Sequence, residues 1–223
     1  MRGVNESLNE RHPLKKFLNY GGIVASAILI AFGIGAIVIG ANGRSTVRDS
    51  LSLEKIVGSP DMNPKAIAAE AKAAGLTGVA LPTKSVADQP ITNGSLARTF
   101  ADYIRIHTLE ASGGKTYAEL PRFATKDGKG TSDEKLALAQ PNGRPVDNPT
   151  RNLWITSTSL RTALNTAYFA ENVALFSIVM GIALLLTGIG FLVLTLSLLM
   201  RPARQAAAAA STKVAPRPAV AVG

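Results

Sequence analysis

The sequence predicts a mainly α protein: two transmembrane helices forming a hairpin-like anchor, with a small, mostly helical extracytoplasmic domain between them. Three observations predict it. Residues 21–41 contain no charged residue, and neither do residues 173–200. A helix rises about 1.5 Å per residue and a bilayer's hydrocarbon core is about 30 Å thick, so about 20 apolar residues suffice to cross it. The stretch between the two runs is polar and holds several helix start and stop signals.

The charge distribution sets the expected orientation. The net charge is +9. Residues 1–20 carry Arg2, Arg11, Lys15 and Lys16 against Glu6 and Glu10. Residues 201–223 carry Arg201, Arg204, Lys213 and Arg217 and no acid. Residues 42–172 hold 16 basic and 13 acidic residues, so this segment contributes only +3. Basic tails beside apolar spans place both termini in the cytoplasm. Arg44, Arg48 and Lys55 follow the first run, so the second run decides the orientation. The expected order is a cytoplasmic tail (1–20), transmembrane helix 1 (21–41), an extracytoplasmic domain (42–172), transmembrane helix 2 (173–200) and a disordered basic cytoplasmic tail (201–223). The protein is thus expected in the plasma membrane, with the lipid bilayer as its first partner. The first apolar run exceeds a signal-peptide core of about 7–15 residues, which favours an uncleaved anchor.

Each element has a local reason. In the first span Ala27, Ala31 and Gly35 recur every fourth residue, on one helical face that lets another helix approach closely. The expected partner is the second span, with Ser177 and Gly181 at the same spacing; a homo-oligomer or another membrane protein is the alternative. Residues 44–57 continue as helix, with Val47 and Leu51 on one stripe, until Gly58, Ser59 and Pro60 break it. Asn63, Pro64 and Gly75 read as N-cap, first helical position and C-terminal stop. Leu76 to Leu81 reads as a short strand or extended link. Ser95 to Ala111 is the best amphipathic helix, with Leu96, Phe100, Tyr103, Ile104 and Ala111 on its apolar face. Thr116 and Glu119 form a capping box. Residues 124–152 are rich in turn formers and read as mobile, with a brief helix at 132–139. From about Thr156 a stripe of Leu160, Ala163, Leu164 and Ala167 starts a helix that continues to about Met200.

Catalytic chemistry is sparsely represented. The chain has no cysteine, which excludes disulfides, thiolate nucleophiles and cysteine metal sites. His107 falls amid the apolar face of the 95–111 helix, with Glu110 three residues on. These two are the candidate binding residues, and a hydrogen-bonded core histidine is the plain alternative. The other histidine, His12, precedes the first span, so a membrane separates the two. No metal ligand and no cofactor is assigned on this basis. Gly113-Gly114-Lys115-Thr116 lacks the first glycine of a phosphate-binding loop, Leu109 standing in its place. Asp127 to Glu134 has the oxygen content of a calcium loop but puts Lys129 at a ligand position. Neither span carries a charge, so a proton relay or charged ion path is not expected. The near-neutral middle segment also argues against nucleic acid as a partner.

Gly58-Ser59-Pro60-Asp61-Met62-Asn63-Pro64, then Ala97-Arg98, Tyr103-Ile104-Arg105-Ile106-His107 and Thr162-Ala163-Leu164-Asn165-Thr166-Ala167-Tyr168 resemble an uncharacterised actinobacterial family of two-span membrane proteins with an extracytoplasmic domain. The likeness covers about residues 45–195 and implies a domain facing the cell wall. It brings no activity. The expected function is non-enzymatic: an envelope binding or scaffolding module. The alternatives are an accessory or oligomer-forming subunit of a transporter or channel, and an extracytoplasmic enzyme using His107.

Overall fold

The computed structural model describes residues 11–213, with side chains over 20–200. The protein is mainly helical. Among the described residues there are four α-helices and no strand: α1 (Arg11–Leu53), α2 (Pro64–Ala73), α3 (Gly94–Ala111) and α4 (Pro149–Lys213), with a 3-10 helix at Glu134–Leu136. Portions of α1 and α4 are long and apolar enough to cross a membrane. The chain forms two compact units, Met1–Gly40 with Phe176–Gly223, and Ala41–Leu175.

In the first unit α1 and α4 pair antiparallel, since Gly22 faces Thr195, Ile30 faces Gly188 and Gly33 faces Gly181. Within this unit the buried positions on α1 are Ser26, Gly33 and Gly40, seven residues apart. On α4, Gly181, Gly188 and Thr195, which meet α1, are also seven apart. A seven-residue repeat keeps one seam in contact along a pair of supercoiled helices. The seam is built from the smallest residues, so the backbones nearly touch. A Cβ on Gly33 would lie 2.7 Å from the Leu185 nitrogen, and one on Gly181 would lie 2.7 Å from the Gly33 carbonyl oxygen. Ser26, fully buried, donates to the Gly22 carbonyl at 2.7 Å, so its hydroxyl is satisfied within its own helix. Large apolar side chains point outward instead: Phe32 is 69% exposed and Phe176 64%.

The expected packing face is therefore only partly used within the chain. Gly181 lies in the seam. Ala27 and Ala31 are exposed, and a Cβ on Gly35 would meet nothing within 4 Å. The sequence offers two small-residue stripes, and the pairing uses the seven-residue one. Ser177 is half-buried.

The second unit is organised around α3. Its Ala97, Phe100, Ala101, Tyr103 and Ile106 form a core with Ile67 and Ala71 of α2, Val86 and Ile91 of the connection, and Leu51 and Leu164. Tyr103 is fully buried, donates its hydroxyl to the Lys84 carbonyl at 2.8 Å and has its pKa raised by burial. The apolar face thus runs through Ala97 and Ile106 more than through Leu96 and Ala111, and Ala111 is exposed.

Both inner helices begin and end as their residues dictate. Asn63 accepts from the Ala66 amide at 2.9 Å and Asn93 from the Leu96 amide at 3.0 Å, each capping a helix N-terminus. Gly75 and Gly113 adopt left-handed φ values of 69° and 62°. Each completes a paired C-terminal cap: Leu76 donates to Ala71 and Gly75 to Lys72, while Gly114 donates to Leu109 and Gly113 to Glu110.

Three expectations change, and of the two readings of Leu76 to Leu81 the strand drops out. The last helix starts at Pro149, before Thr156, because Asn148 accepts from the Thr150 amide at 3.0 Å and Pro149 takes the first helical position. The segment from Leu76 to Leu81 forms no strand. The expected helix at 132–139 shrinks to the 3-10 turn, and the stretch around it is cross-linked by backbone hydrogen bonds: Phe123 with Thr131, Ala124 with Val146 and Leu138, and Gln140 with Arg144. The tail expected to be disordered is helical up to Lys213, as its Ala206–Ala210 run favours. Residues 1–10 and 214–223 lie outside the described residues.

Gly33→Leu is expected to disrupt the α1–α4 pairing, since the added side chain meets backbone, and Gly35→Leu to leave it intact. Thermal unfolding of the purified protein in detergent checks this, with the loss confined to Gly33→Leu.

Candidate functional site

Three polar constellations occur in the Ala41–Leu175 unit. The first is built on Glu171, whose side chain is only 12% exposed. Its Oε2 accepts from the Gly94 amide at 2.6 Å. Its Oε1 accepts from Arg44 Nε at 3.0 Å and Arg48 Nε at 2.8 Å. One carboxylate thus joins α1, the N-terminus of α3 and α4. The helix N-terminus carries unpaired amides and partial positive charge, which favour an anion there. Gly94 makes the approach feasible, because a Cβ at that position would lie 2.7 Å from the Tyr168 Cα. Burial pushes the Glu171 carboxyl up, but the Gly94 amide and the two arginines outweigh it and hold it below the usual carboxylate range. Glu171 adjoins the second apolar run in sequence, where interface polarity would be explanation enough; the fold gives it a specific set of donors.

The second constellation contains His107. Its Nδ1 lies 2.7 Å from Glu70 Oε1 on α2, and its Nε2 lies 3.9 Å from Asp61 Oδ2. His107 is half-buried, and its Nε2 is sealed from solvent without a hydrogen-bond partner. Glu110, the other candidate, is exposed; a hydrogen bond with Glu70, then burial and the Glu70 charge, push its carboxyl up. The fold therefore brings both candidates together and adds two residues that sequence reasoning missed, Asp61 and Glu70. Neither carries a spacing signal toward His107, being 46 and 37 residues away in the chain. The side chain of His12 lies outside the described residues.

The third is a cleft of about 390 Å³ between the Gly78–Pro82 backbone and the polar side of α3 and α4, lined by Arg98, Arg105, Arg161 and Asp102. Asp102, its only carboxylate, sits 3.7 Å from Arg98. Arg98 also donates to Asn165 Oδ1 at 3.1 Å, and Arg161 donates to the Ala101 carbonyl at 3.1 Å. Three guanidinium groups against one carboxylate leave the cleft positive. Burial lowers the Arg161 pKa and the charges of Arg105 and Arg98 add to it, with Asp102 opposing. Arg98, Asp102 and Arg105 share one helix, α3, but no local spacing adds Arg161, which comes from α4.

The remaining motifs are structural. In Gly113-Gly114-Lys115-Thr116, the Lys115 carbonyl accepts from Ser112 Oγ at 2.6 Å and from Trp154 Nε1 at 2.9 Å, closing α3 against α4. Glu119 reaches back to the Thr116 amide at 2.7 Å, as a capping box requires. Asp127 turns onto its own loop, accepting from Thr125 Oγ1 and the Lys129 amide, and those bonds lower its pKa.

No known protein family, curated protein or solved structure matches this chain.

Removing the Glu171 carboxylate exposes its worth. Glu171→Ala leaves the Gly94 amide without its acceptor and is expected to cost about 2–4 kcal/mol, discounted for arginines that solvent also reaches. Glu171→Gln keeps an acceptor and costs less. Because the folded pKa is lowered, this stability is present above the unfolded carboxylate value of about 4.3 and is lost as pH falls through the folded value. Unfolding curves of wild type and Glu171→Gln across pH 3–7 should converge at the acid end.

Proposed function

We propose that this chain is a two-span plasma-membrane protein with both termini in the cytoplasm, and that its Ala41–Leu175 unit lies outside and binds an anionic ligand without catalysing a reaction. The observation that carries the binding role is the arginine cleft. Arg98, Arg105 and Arg161 converge on one concavity with a single compensating carboxylate. Mutual repulsion of guanidinium groups disfavours such a cluster unless an anion joins it, and arginine's planar donors suit phosphate and carboxylate oxygens. An anionic wall polymer is the ligand class that fits a domain outside the membrane.

The membrane placement is supported by the inverted burial of the α1–α4 pair. Glycine and serine hold the most buried seam positions, while Phe32, Ile34, Ile39 and Phe176 face outward. Water as solvent would favour the reverse, whereas lipid tails solvate large apolar side chains and leave close packing to hold helices together. The basic residues after the second span support cytoplasmic termini. Arg44 and Arg48, which blur the charge rule at the first span, are both engaged by Glu171.

The binding role is tested on the full chain in detergent with polyphosphate as probe. Binding is expected to weaken with salt and to fall at least about tenfold in Arg105→Gln, the loss of one charge-assisted hydrogen bond. Equal binding by wild type and an Arg98→Gln/Arg105→Gln double variant would sink the assignment.

The face of exposed Ala27 and Ala31, with open space beside Gly35, favours a second reading, an accessory or oligomer-forming subunit. Ala31→Leu with Gly35→Leu is then expected to reduce the assembly to monomer, measured as mass in native detergent. An unchanged mass rejects it.

A further inference from the structure

Asp61, Glu70 and His107 come from three segments: the turn before α2, α2 itself and α3. One donor atom of each lies within 4.8 Å of the other two. The supporting bonds leave particular lone pairs free. Ser59 Oγ donates to Asp61 Oδ1, which leaves Oδ2 directed at His107. Glu70 Oε1 lies 2.7 Å from Nδ1, so an ionised carboxylate there puts the ring proton on Nδ1 and a lone pair on Nε2. That Nε2 is buried and unpartnered, a state that folded proteins rarely leave uncompensated. It faces Asp61 Oδ2 at 3.9 Å. Two metal–ligand bonds of about 2.1 Å meeting at the tetrahedral angle span about 3.4 Å, so Nε2 and Oδ2 close by about 0.5 Å around an ion.

We propose that Asp61, Glu70 and His107 form a site for one divalent transition-metal ion of the zinc class. His107 Nε2 and Asp61 Oδ2 are the direct ligands. Glu70 holds the imidazole through Nδ1, the carboxylate–histidine arrangement that orients ring ligands at zinc sites. Imidazole nitrogen with carboxylate oxygen selects this class over magnesium or calcium, which take oxygen throughout. Asp61 is half-exposed, so water completes the coordination from that side. The ion ties the turn at Asp61 to α3 in a chain that has no cysteine to do so. This site is separate from the arginine cleft and does not depend on the anionic ligand.

The test uses the full chain in detergent, stripped with EDTA and titrated with Co²⁺ and then Zn²⁺. The expected result is one equivalent of Co²⁺ giving visible ligand-field absorption, displaced by Zn²⁺, with a rise in unfolding temperature on metal binding. Asp61→Asn and His107→Asn are each expected to weaken uptake at least about tenfold, and Glu70→Gln less. Asp61→Asn changes a half-exposed side chain, so it decides the matter even where His107→Asn does not fold. Uptake by Asp61→Asn equal to wild type, or a wild type that shows no saturable Co²⁺ absorption, overturns the proposal. Polyphosphate binding measured in EDTA reports on the cleft alone, so the two assignments fail separately.

Discussion

The carboxylate of Glu171 is the point on which the Ala41–Leu175 unit depends. It takes one hydrogen bond from the first amide of α3 and one from each of two arginines on α1. A hydrogen bond to a charged group is worth about 1.5–3 kcal/mol, and each donor here sits on an element other than α4. The interaction therefore fixes three helices at once. It also fixes the start of α3, and α3 supplies much of the core, His107 and two of the three cleft arginines. Local capping places the other end of α3, where Gly113 and Gly114 close the helix and Lys115 accepts from Trp154.

The buried side of α4 shows why polar residues matter to this packing. Within the unit it runs through Trp154, Ser157, Leu164, Glu171 and Ala174, with Arg161 half-buried on the same stripe. The apolar stripe visible in the sequence, Leu160, Ala163, Leu164 and Ala167, shares only Leu164 with those buried residues. Hydrophobic periodicity counts apolar side chains and cannot register a polar one whose partners come from distant segments. Arg161 is acceptable there because the Ala101 carbonyl receives it. The same blindness hides the α1–α4 seam, where the informative residues are the smallest and not the most apolar.

The arginine cleft and the His107 cluster share a construction. Each draws on α3 and on a segment that precedes or follows it by tens of residues. In the cleft, like charges gather with insufficient compensation. Around His107, opposite groups gather with one nitrogen left unpaired. Both are departures from local electrostatic balance in a fold whose other polar groups are well matched, as the Asn63, Asn93 and Asn148 caps show. Such departures concentrate where a protein meets something else.

The sequence by itself determined the mainly helical class, the two long apolar helices and both ends of α2 and α3. These are properties of near neighbours: a charge-free run, an asparagine before a proline, a glycine free to take positive φ. Asn148-Pro149 carried the same signal as Asn63-Pro64 and marks the true start of α4. Tertiary structure alone decided which small-residue stripe forms the seam, why Glu171 is charged, and which residues join His107. Those outcomes depend on pairs separated by 37 to 173 residues, such as Glu70 with His107 and Gly22 with Thr195. No local spacing encodes such pairs; they exist only once helices with independent ends have packed.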